Sequence, residues 1–254
     1  MELRLRGKTA LVTGGSKGIG AGCCTALAEE GCSIIVNFRS DPKNAEAFAR
    51  GLSDTYGIDA IAVKADVSCE AEVEKLFEAA YEHFGAVQIL INNAAATSPS
   101  RTAFQELTTE EWRAVQEGTL NSAFFVSRKF AGLLIAEHLP GSIINVLSKS
   151  AILSSSIFNS PYVSAKGGLM TLTRSMAKEL VSYDIRVNGI VPGYVRTEKN
   201  YREGDPRTEE KRKLLPLKDF ASPNDMGSIA AFLCSDRASQ INGAIIDCTG
   251  GTLV

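Results

Sequence analysis

Residues 8–20 read KTALVTGGSKGIG. The run 8–12 is short and apolar, as expected of a buried strand. Thr13-Gly14-Gly15-Ser16-Lys17-Gly18-Ile19-Gly20 follows, and a helical stretch continues over about 21–30. Glycines at 14, 18 and 20 allow a sharp turn and a close approach of backbone to ligand. The helix start then offers unsatisfied N–H groups and the positive end of its dipole, which suit a phosphate. A glycine cluster means little by itself. Between a strand and a helix it marks a dinucleotide-binding turn.

Outward from that turn, strands alternate with helices. Segments 32–38, 59–65, 87–91, 142–147, 185–191 and 244–248 read as strands. Segments 41–56, 69–84, about 108–138, 162–180 and 223–235 read as helices. This alternation predicts an α/β fold in one domain spanning 1–254, with a mostly parallel sheet covered by helices on both faces. The long helix over 108–138 carries Leu120, Phe124, Phe125, Phe130 and Leu134 on its apolar side, read as core or subunit contact. Segment 194–221 is long, charged and interrupted by proline, which predicts a substrate lid. Its Lys211-Arg212-Lys213 cluster reads as a solvated face.

Composition removes several classes. Of 254 residues, 44% are hydrophobic and 22% charged, enough for one large core. A net charge of −2 gives no nucleic-acid field. No apolar run approaches the ~18 residues of a membrane span, and the N-terminus is not a signal peptide. Six cysteines show no C-x-x-C pair and no histidine at zinc spacing, so free thiols in a reducing cytoplasm are expected and no metal site. His83 and His138 sit near helix ends, where surface capping is the expectation.

The tip of the second strand should carry an acid if it holds a free ribose 2′-hydroxyl. It reads Asn37-Phe38-Arg39-Ser40 instead, and Asp41 falls at the next helix start before Pro42. Arg39, with Lys17 in the glycine loop, suits a 2′-phosphate, so NADP(H) is expected over NAD(H). Asp66, at the end of the third strand, either accepts from an adenine amino group or caps a loop. The fourth strand runs into Asn92-Asn93-Ala94-Ala95-Ala96, where small side chains admit a cofactor and asparagine can tie strands together.

The chemistry concentrates in SKSAILSSSIFNSPYVSAK, residues 148–166. Tyr162 and Lys166 are four apart, one above the other on a helix face. A cation near a phenol favours phenolate, so the Tyr162 pKa is expected to fall from its usual value of about 10. Such a phenol is a general acid/base. Ser148 ends the fifth strand and offers a hydroxyl to the same place.

Taken together these motifs resemble the short-chain dehydrogenase/reductase family over essentially the whole chain. The family's TGxxxGxG matches 13–20, its adenine-side acid matches Asp66, and its NNAG matches 92–95 with Ala95 for glycine. Its serine matches Ser148, its YxxxK matches Tyr162 and Lys166, and its PG matches Pro192-Gly193, with Thr197 beyond. The resemblance implies a Rossmann-type doubly wound sheet and reduction of a ketone or 3-oxo group, or the reverse, on a small-molecule carbonyl or alcohol. Tyr162 would exchange the proton, Ser148 orient the oxygen, and Lys166 tune Tyr162 and hold the nicotinamide ribose. Gly14, Ser16, Lys17, Gly18, Ile19, Arg39, Ser40, Asp66, Val67, Asn93, Ala94, Ala95, Tyr162, Lys166, Pro192, Gly193, Val195 and Thr197 would contact NADP(H). Relatives are commonly homotetramers paired through two long helices.

Three departures stand out. Thr119 replaces the asparagine that completes the family's proton relay. Ser148 and Tyr162 are fourteen apart where many relatives have thirteen, which leaves Ser150 as a second candidate serine. Thr249 replaces the aspartate of a closing D-G-G. Basic residues that some fatty-acid ketoreductases use to dock a carrier are Leu139 and Tyr183 here, against a carrier-bound substrate. An enoyl reductase, or an NADPH-binding protein without catalysis, is the alternative; enoyl relatives usually space Tyr and Lys more widely.

Overall fold

The computed structural model describes residues 2–97, 102–153, 157–198 and 200–253. Its elements in chain order are β1 (Thr9–Val12), α1 (Gly18–Glu29), β2 (Ser33–Phe38), α2 (Pro42–Tyr56), β3 (Ala60–Lys64), α3 (Glu70–Phe84), β4 (Ile89–Asn92), α4 (Thr109–Gln116), α5 (Ser122–Glu137), β5 (Gly141–Val146), α6 (Ser150–Leu153), α7 (Ser160–Leu180), β6 (Ile185–Pro192), α8 (Pro206–Leu214), α9 (Pro223–Cys234) and β7 (Ile245–Cys248). The seven strands form one sheet in the order β3-β2-β1-β4-β5-β6-β7, with every neighbouring pair parallel. The expected Rossmann-type sheet is therefore the observed one.

Side-chain alternation divides the strands between two cores. Ala10, Val12, Ile34 and Val36 point to one face, where α1 and α9 cover them. Leu11, Ile35, Leu90 and Ile143 point to the other, under α3 and α5. Both faces are covered, so the strands read as unbroken apolar runs. No described helix is long and apolar enough to cross a membrane.

Polar residues inside the sheet fix the strand ends. Asn92 Nδ2 donates to Asn145 Oδ1 and to Ser127 Oγ, each at 2.8 Å, and Asn145 Nδ2 donates to Thr173 Oγ1 at 2.8 Å. These bonds tie β4 to β5, and the pair to α5 and α7. The expected role of asparagine as a strand tie is thus seen at Asn92.

Some boundaries differ from the sequence reading. The long helix is α4 and α5 joined by a π-helical turn at Glu117–Asn121. Phe130 and Leu134 are buried, but Phe124 is 40% exposed and so lies outside this chain's core. The lid over 194–221 contains α8, and its two ends meet in a bridge between Val195 and Ala221. The serine-rich loop begins with α6, while its residues 154–156 lie outside the described residues, as do 98–101 of the rim loop after β4. His83 pairs with Asp59 at the surface, and His138 caps α5 in the left-handed region. The cysteines are free: Cys23, Cys24, Cys32 and Cys234 are buried, Cys248 is half-buried and Cys69 is exposed.

Helices α1 and α9 pack backbone to backbone. A Cβ on Gly22 would sit 2.1 Å from the Pro223 carbonyl oxygen, and one on Gly227 would sit 2.1 Å from the Gly22 oxygen. Neither carbonyl can swing aside without moving a helix. Gly22→Ala is expected to cost about 1–3 kcal/mol through overpacking. Thermal unfolding of the variant should show a midpoint several degrees lower; an unchanged midpoint would contradict this packing.

Candidate active site

β1 and β4 are neighbours from which the chain departs in opposite directions along the sheet, and a crevice opens at their carboxyl ends. Two adjoining clefts fill it. One, of about 340 Å³, lies over the glycine loop, the β2 tip and Asp66. The other, of about 880 Å³, lies over the ends of β5 and β6, between α7 and the lid. Asn93 and Ala95 line both. The structure brings Gly14, Ser16, Lys17, Arg39, Ser40, Asp66, Val67 and Ala94 to the first cleft. It brings Ile19, Ser148, Tyr162, Lys166, Pro192, Gly193, Val195 and Thr197 to the second. Gly18 lines neither and packs beside Thr197, where a Cβ would stand 3.3 Å from Cγ2.

The glycine loop is held from three sides. Asn93 Nδ2 donates to the Thr13 and Gly14 oxygens at 2.9 and 3.0 Å, while Thr13 Oγ1 accepts the N–H groups of Asn93 and Ala94. Asn37 Oδ1 accepts from Gly14 N, and its Nδ2 donates to the Ala65 oxygen at 3.0 Å. Asn44 Nδ2 donates to the Ser16 oxygen at 3.1 Å. A Cβ on Gly20 would lie 2.3 Å from the Gly14 oxygen, so only glycine lets the loop close against α1. Lys17 stands at the N-cap of α1 and makes no side-chain cap bond. The first-turn N–H groups therefore remain available to an anion. An uncapped helix start beneath a backbone cradle fits a dinucleotide pyrophosphate.

At the β2 tip, Asn37 is buried and committed to the loop, and Asp41 caps α2 by accepting from Asn44 N. The tip's one carboxylate at the cleft, Asp41, is thus engaged at the α2 start. Arg39 extends over the rim, 71% exposed, with Nη1 3.8 Å from Asp66 Oδ2. Asp66 Oδ1 accepts from Ser68 N and Oγ at 3.0 and 2.6 Å, so the loop-capping role is realised. Burial pushes the Asp66 carboxyl up, but those two bonds and the Arg39 charge outweigh it and hold the group below the usual carboxylate range.

In the second cleft, β5 delivers Ser148 and the first turn of α7 delivers Tyr162. Gln116 Nε2 donates to the Pro161 oxygen at 2.9 Å and fixes that turn against α4. Ser148 and Tyr162 line this cleft together, and hydrogen bonding by Ser148 favours the Tyr162 phenolate. Ser150 N–H donates to Ser148 Oγ at 3.2 Å, and both serines line the cleft. Lys166 follows one turn along α7, its Nζ 5.9 Å from the Tyr162 ring centre. That ammonium is 2% exposed and donates to the Val146 oxygen at 2.6 Å.

The expected lowering of the Tyr162 pKa is not what the structure gives. Burial raises the phenol above 10.0, opposed only by the Ser148 bond. Lys166 contributes no opposing pull, since its ammonium is itself desolvated and committed to Val146. Burial brings the Lys166 pKa down to about 8.

Thr119 also departs from expectation. Its hydroxyl donates to the Ala96 oxygen and accepts the Ala96 N–H, both at 3.1 Å, from a fully buried position. It pins the segment after β4 to the π turn and does not face either cleft. Thr249 is buried, with its backbone against Gly193, and its Oγ1 accepts from Thr252 N at 3.1 Å. It shapes the C-terminal turn beneath the Pro192-Gly193 loop. Lys211, read as solvated, lines the second cleft, with Nζ 5.8 Å from the Tyr194 ring centre. Lys149 Nζ lies 3.8 Å over the same ring.

Asn37, Asn44, Lys149 and Tyr194 escaped the sequence reading. Only Asn37 left a signal there, as a polar residue in an otherwise apolar strand.

The fold and this crevice define an oxidoreductase of the nicotinamide-nucleotide class. A family profile described as "Enoyl-(Acyl carrier protein) reductase" matches residues 14–252. The chain belongs to the short-chain dehydrogenase/reductase family. It is 36% identical to 3beta-hydroxysteroid dehydrogenase 1 of Eggerthella lenta, over 97% of this chain and 94% of the relative. It is 31% identical to the 3-oxoacyl-[acyl-carrier-protein] reductase FabG of Aquifex aeolicus, over 99% of each. Among solved structures, L-sorbose reductase from Gluconobacter frateurii, complexed with NADPH and L-sorbose, superposes with a TM-score of 0.92. It shares 29% identity and is covered to 99%, against 100% of this chain.

The Lys166 burial has a pH signature. Its folded pKa of about 8 lies below the ordinary 10.5. Between those values the unfolded chain holds a proton that the folded chain does not, so rising pH favours the fold. Below about 8 both states are protonated, and the burial cost, roughly 3 kcal/mol, is constant. Thermal midpoints of the wild type relative to Lys166→Met should therefore climb from pH 8 to 10.5 and be level below pH 8. A difference independent of pH would mean that the ammonium is solvated.

Proposed function

We propose that the chain uses NADP(H) to reduce a small-molecule carbonyl to a secondary alcohol, or to run the reverse. The observation that carries this reading is the convergence of Ser148, Tyr162 and Lys166 on one cleft, with Lys166 Nζ 5.9 Å from the Tyr162 ring centre. A bound nicotinamide supplies or accepts the hydride. Ser148 donates to the substrate oxygen and orients it, and Tyr162 gives that oxygen its proton. The raised Tyr162 pKa keeps the phenol protonated at neutral pH, which suits the acid of the reductive direction. In the oxidative direction the phenol must first lose that proton, so alcohol oxidation gains as pH rises.

Tyr162→Phe should lower kcat/KM for carbonyl reduction by about 10²- to 10⁴-fold, the usual contribution of a general acid. NADPH affinity, read by fluorescence titration, should hardly change. Undiminished turnover in that variant would remove Tyr162 from the reaction. A 2-enoyl thioester in the same assay should give no saturated product; its formation would favour the enoyl reductase reading suggested by the profile's description.

The NADP(H) preference rests on Arg39 at the rim, Lys17 in the glycine loop and the commitment of Asp41 to helix α2. The sorbose reductase, a relative solved with NADPH, supports it as well. A charge-assisted bond from arginine to phosphate contributes about 1.5–3 kcal/mol, so NADPH should be favoured over NADH at least about tenfold. Arg39→Asp should reverse the order of the two kcat/KM values. Preference for NADH in the wild type would refute the assignment.

A further inference from the structure

The second cleft carries charge that proton transfer does not use. Lys149 directly follows Ser148, and Lys211 reaches the same wall from α8. Their ammonium groups flank one aromatic ring, Tyr194, at 3.8 and 5.8 Å from its centre. Neither has a carboxylate within ion-pair distance among the described residues, although other lid cations do: Arg196 pairs with Asp219, and Arg212 with Glu209 and Asp219. No Asp or Glu is among the described residues lining this cleft. Partial burial already lowers the Lys149 pKa, so the group sits at an energetic cost with only a ring face against it.

Charge placed in a cleft without a counter-charge is expected where the ligand brings one. We propose that the substrate carries an oxyanion, a carboxylate or a phosphate, held by Lys149 and Lys211 across Tyr194 while its carbonyl lies at Ser148 and Tyr162. This rests on the carbonyl-reductase reading and adds the substrate class to it. The apolar side chains of Leu153, Ile157 and Phe158 line the same cleft and offer a surface to the substrate's carbon chain.

The test uses matched pairs. The chain is assayed with NADPH on 2-, 3- and 5-oxohexanoate, each against its primary amide, and on dihydroxyacetone phosphate against dihydroxyacetone. At least one anion should exceed its neutral partner in kcat/KM by about tenfold or more, mostly through KM, as one charge-assisted bond would give. Which arm responds separates carboxylate from phosphate. Raising the salt should shrink that ratio, since the cleft is open to solvent. Lys149→Met and Lys211→Met should each bring it towards one. Neutral partners reduced as well as or better than every anion would overturn the proposal and leave the reductase reading standing. Calorimetric titration of the Tyr162→Phe–NADPH complex with the same compounds reads binding without turnover. Preference for the anion there, with no carbonyl reduced by the wild type, would keep the anion site and remove the reductase reading. Equal binding of anion and neutral partner would remove the anion site.

Discussion

A single ammonium group, 2% exposed and donating to one backbone carbonyl, sets the terms for the rest of this molecule. Lys166 enters the interior from α7 and finds the end of β5, where the Val146 oxygen meets it. Desolvating a lysine disfavours its charged form, and one neutral acceptor does not cancel that cost. The fold therefore has to over-determine the position from every side. Buried bonds from Asn145 to Thr173 hold α7 against β5, and Gln116 holds the first turn of α7 against α4. With those restraints in place, the Tyr162 phenol and the Ser148 hydroxyl have one arrangement rather than several. Stability is given up at the lysine, and the Ser148 and Tyr162 side chains beside it stay ordered.

The same logic governs the cofactor end. There the economy is in side chains spent on backbone. Asn37, Asn44 and Asn93 each contribute an amide to the glycine loop, and none of those donor groups is left to face a ligand. What the cleft offers instead is main-chain N–H at the start of α1, presented by a loop that cannot relax. Thr119 plays the matching part behind the segment after β4, where it satisfies both backbone groups of Ala96 from the π turn. A helix widened by a π turn brings Gly118 close enough that its N–H···O partner network includes the Ala96 N–H, and a side chain there would strike the Ala96 methyl at 2.5 Å.

Local signals carried the fold and most of the site. The strand–glycine–helix opening, the alternation of elements and the Tyr162–Lys166 interval depend on near neighbours in sequence, so they survive reading without coordinates. The failures share a different cause. The Tyr162 pKa direction depends on where the Lys166 ammonium goes, and that is decided by Val146, twenty residues earlier on another element. Thr119 was matched to a relay position by family resemblance; its hydroxyl is taken by Ala96, which lies on the segment after β4. Lys211 and Lys213 are exposed, as read, but Lys211 also borders the second cleft beside Tyr194. Only the fold of α8 over Tyr194 separates the two. Conversely, Asn37 was noticed for the carboxylate it is not, while its actual work lies in binding β3 to the loop.

Charge distribution joins the two clefts into one design. The chain's net charge is −2, yet both ends of the crevice present cations. The described acids that line it are Asp41 and Asp66, and each is already engaged, one on the α2 start and the other on Ser68 and Arg39. Lys17 and Arg39 stand at one end, Lys149 and Lys211 at the other, with the Lys166 ammonium buried between. Like charges within one groove repel, and that repulsion is relieved when anions bridge them. A bound nicotinamide dinucleotide, with its pyrophosphate, would relieve it at the first end. The second end has the same unmet need in the protein alone, and the segment that carries Lys211 is tied at its ends where Val195 meets Ala221. A surface arranged this way is most stable with both ends filled, so filling one end and filling the other are linked by field.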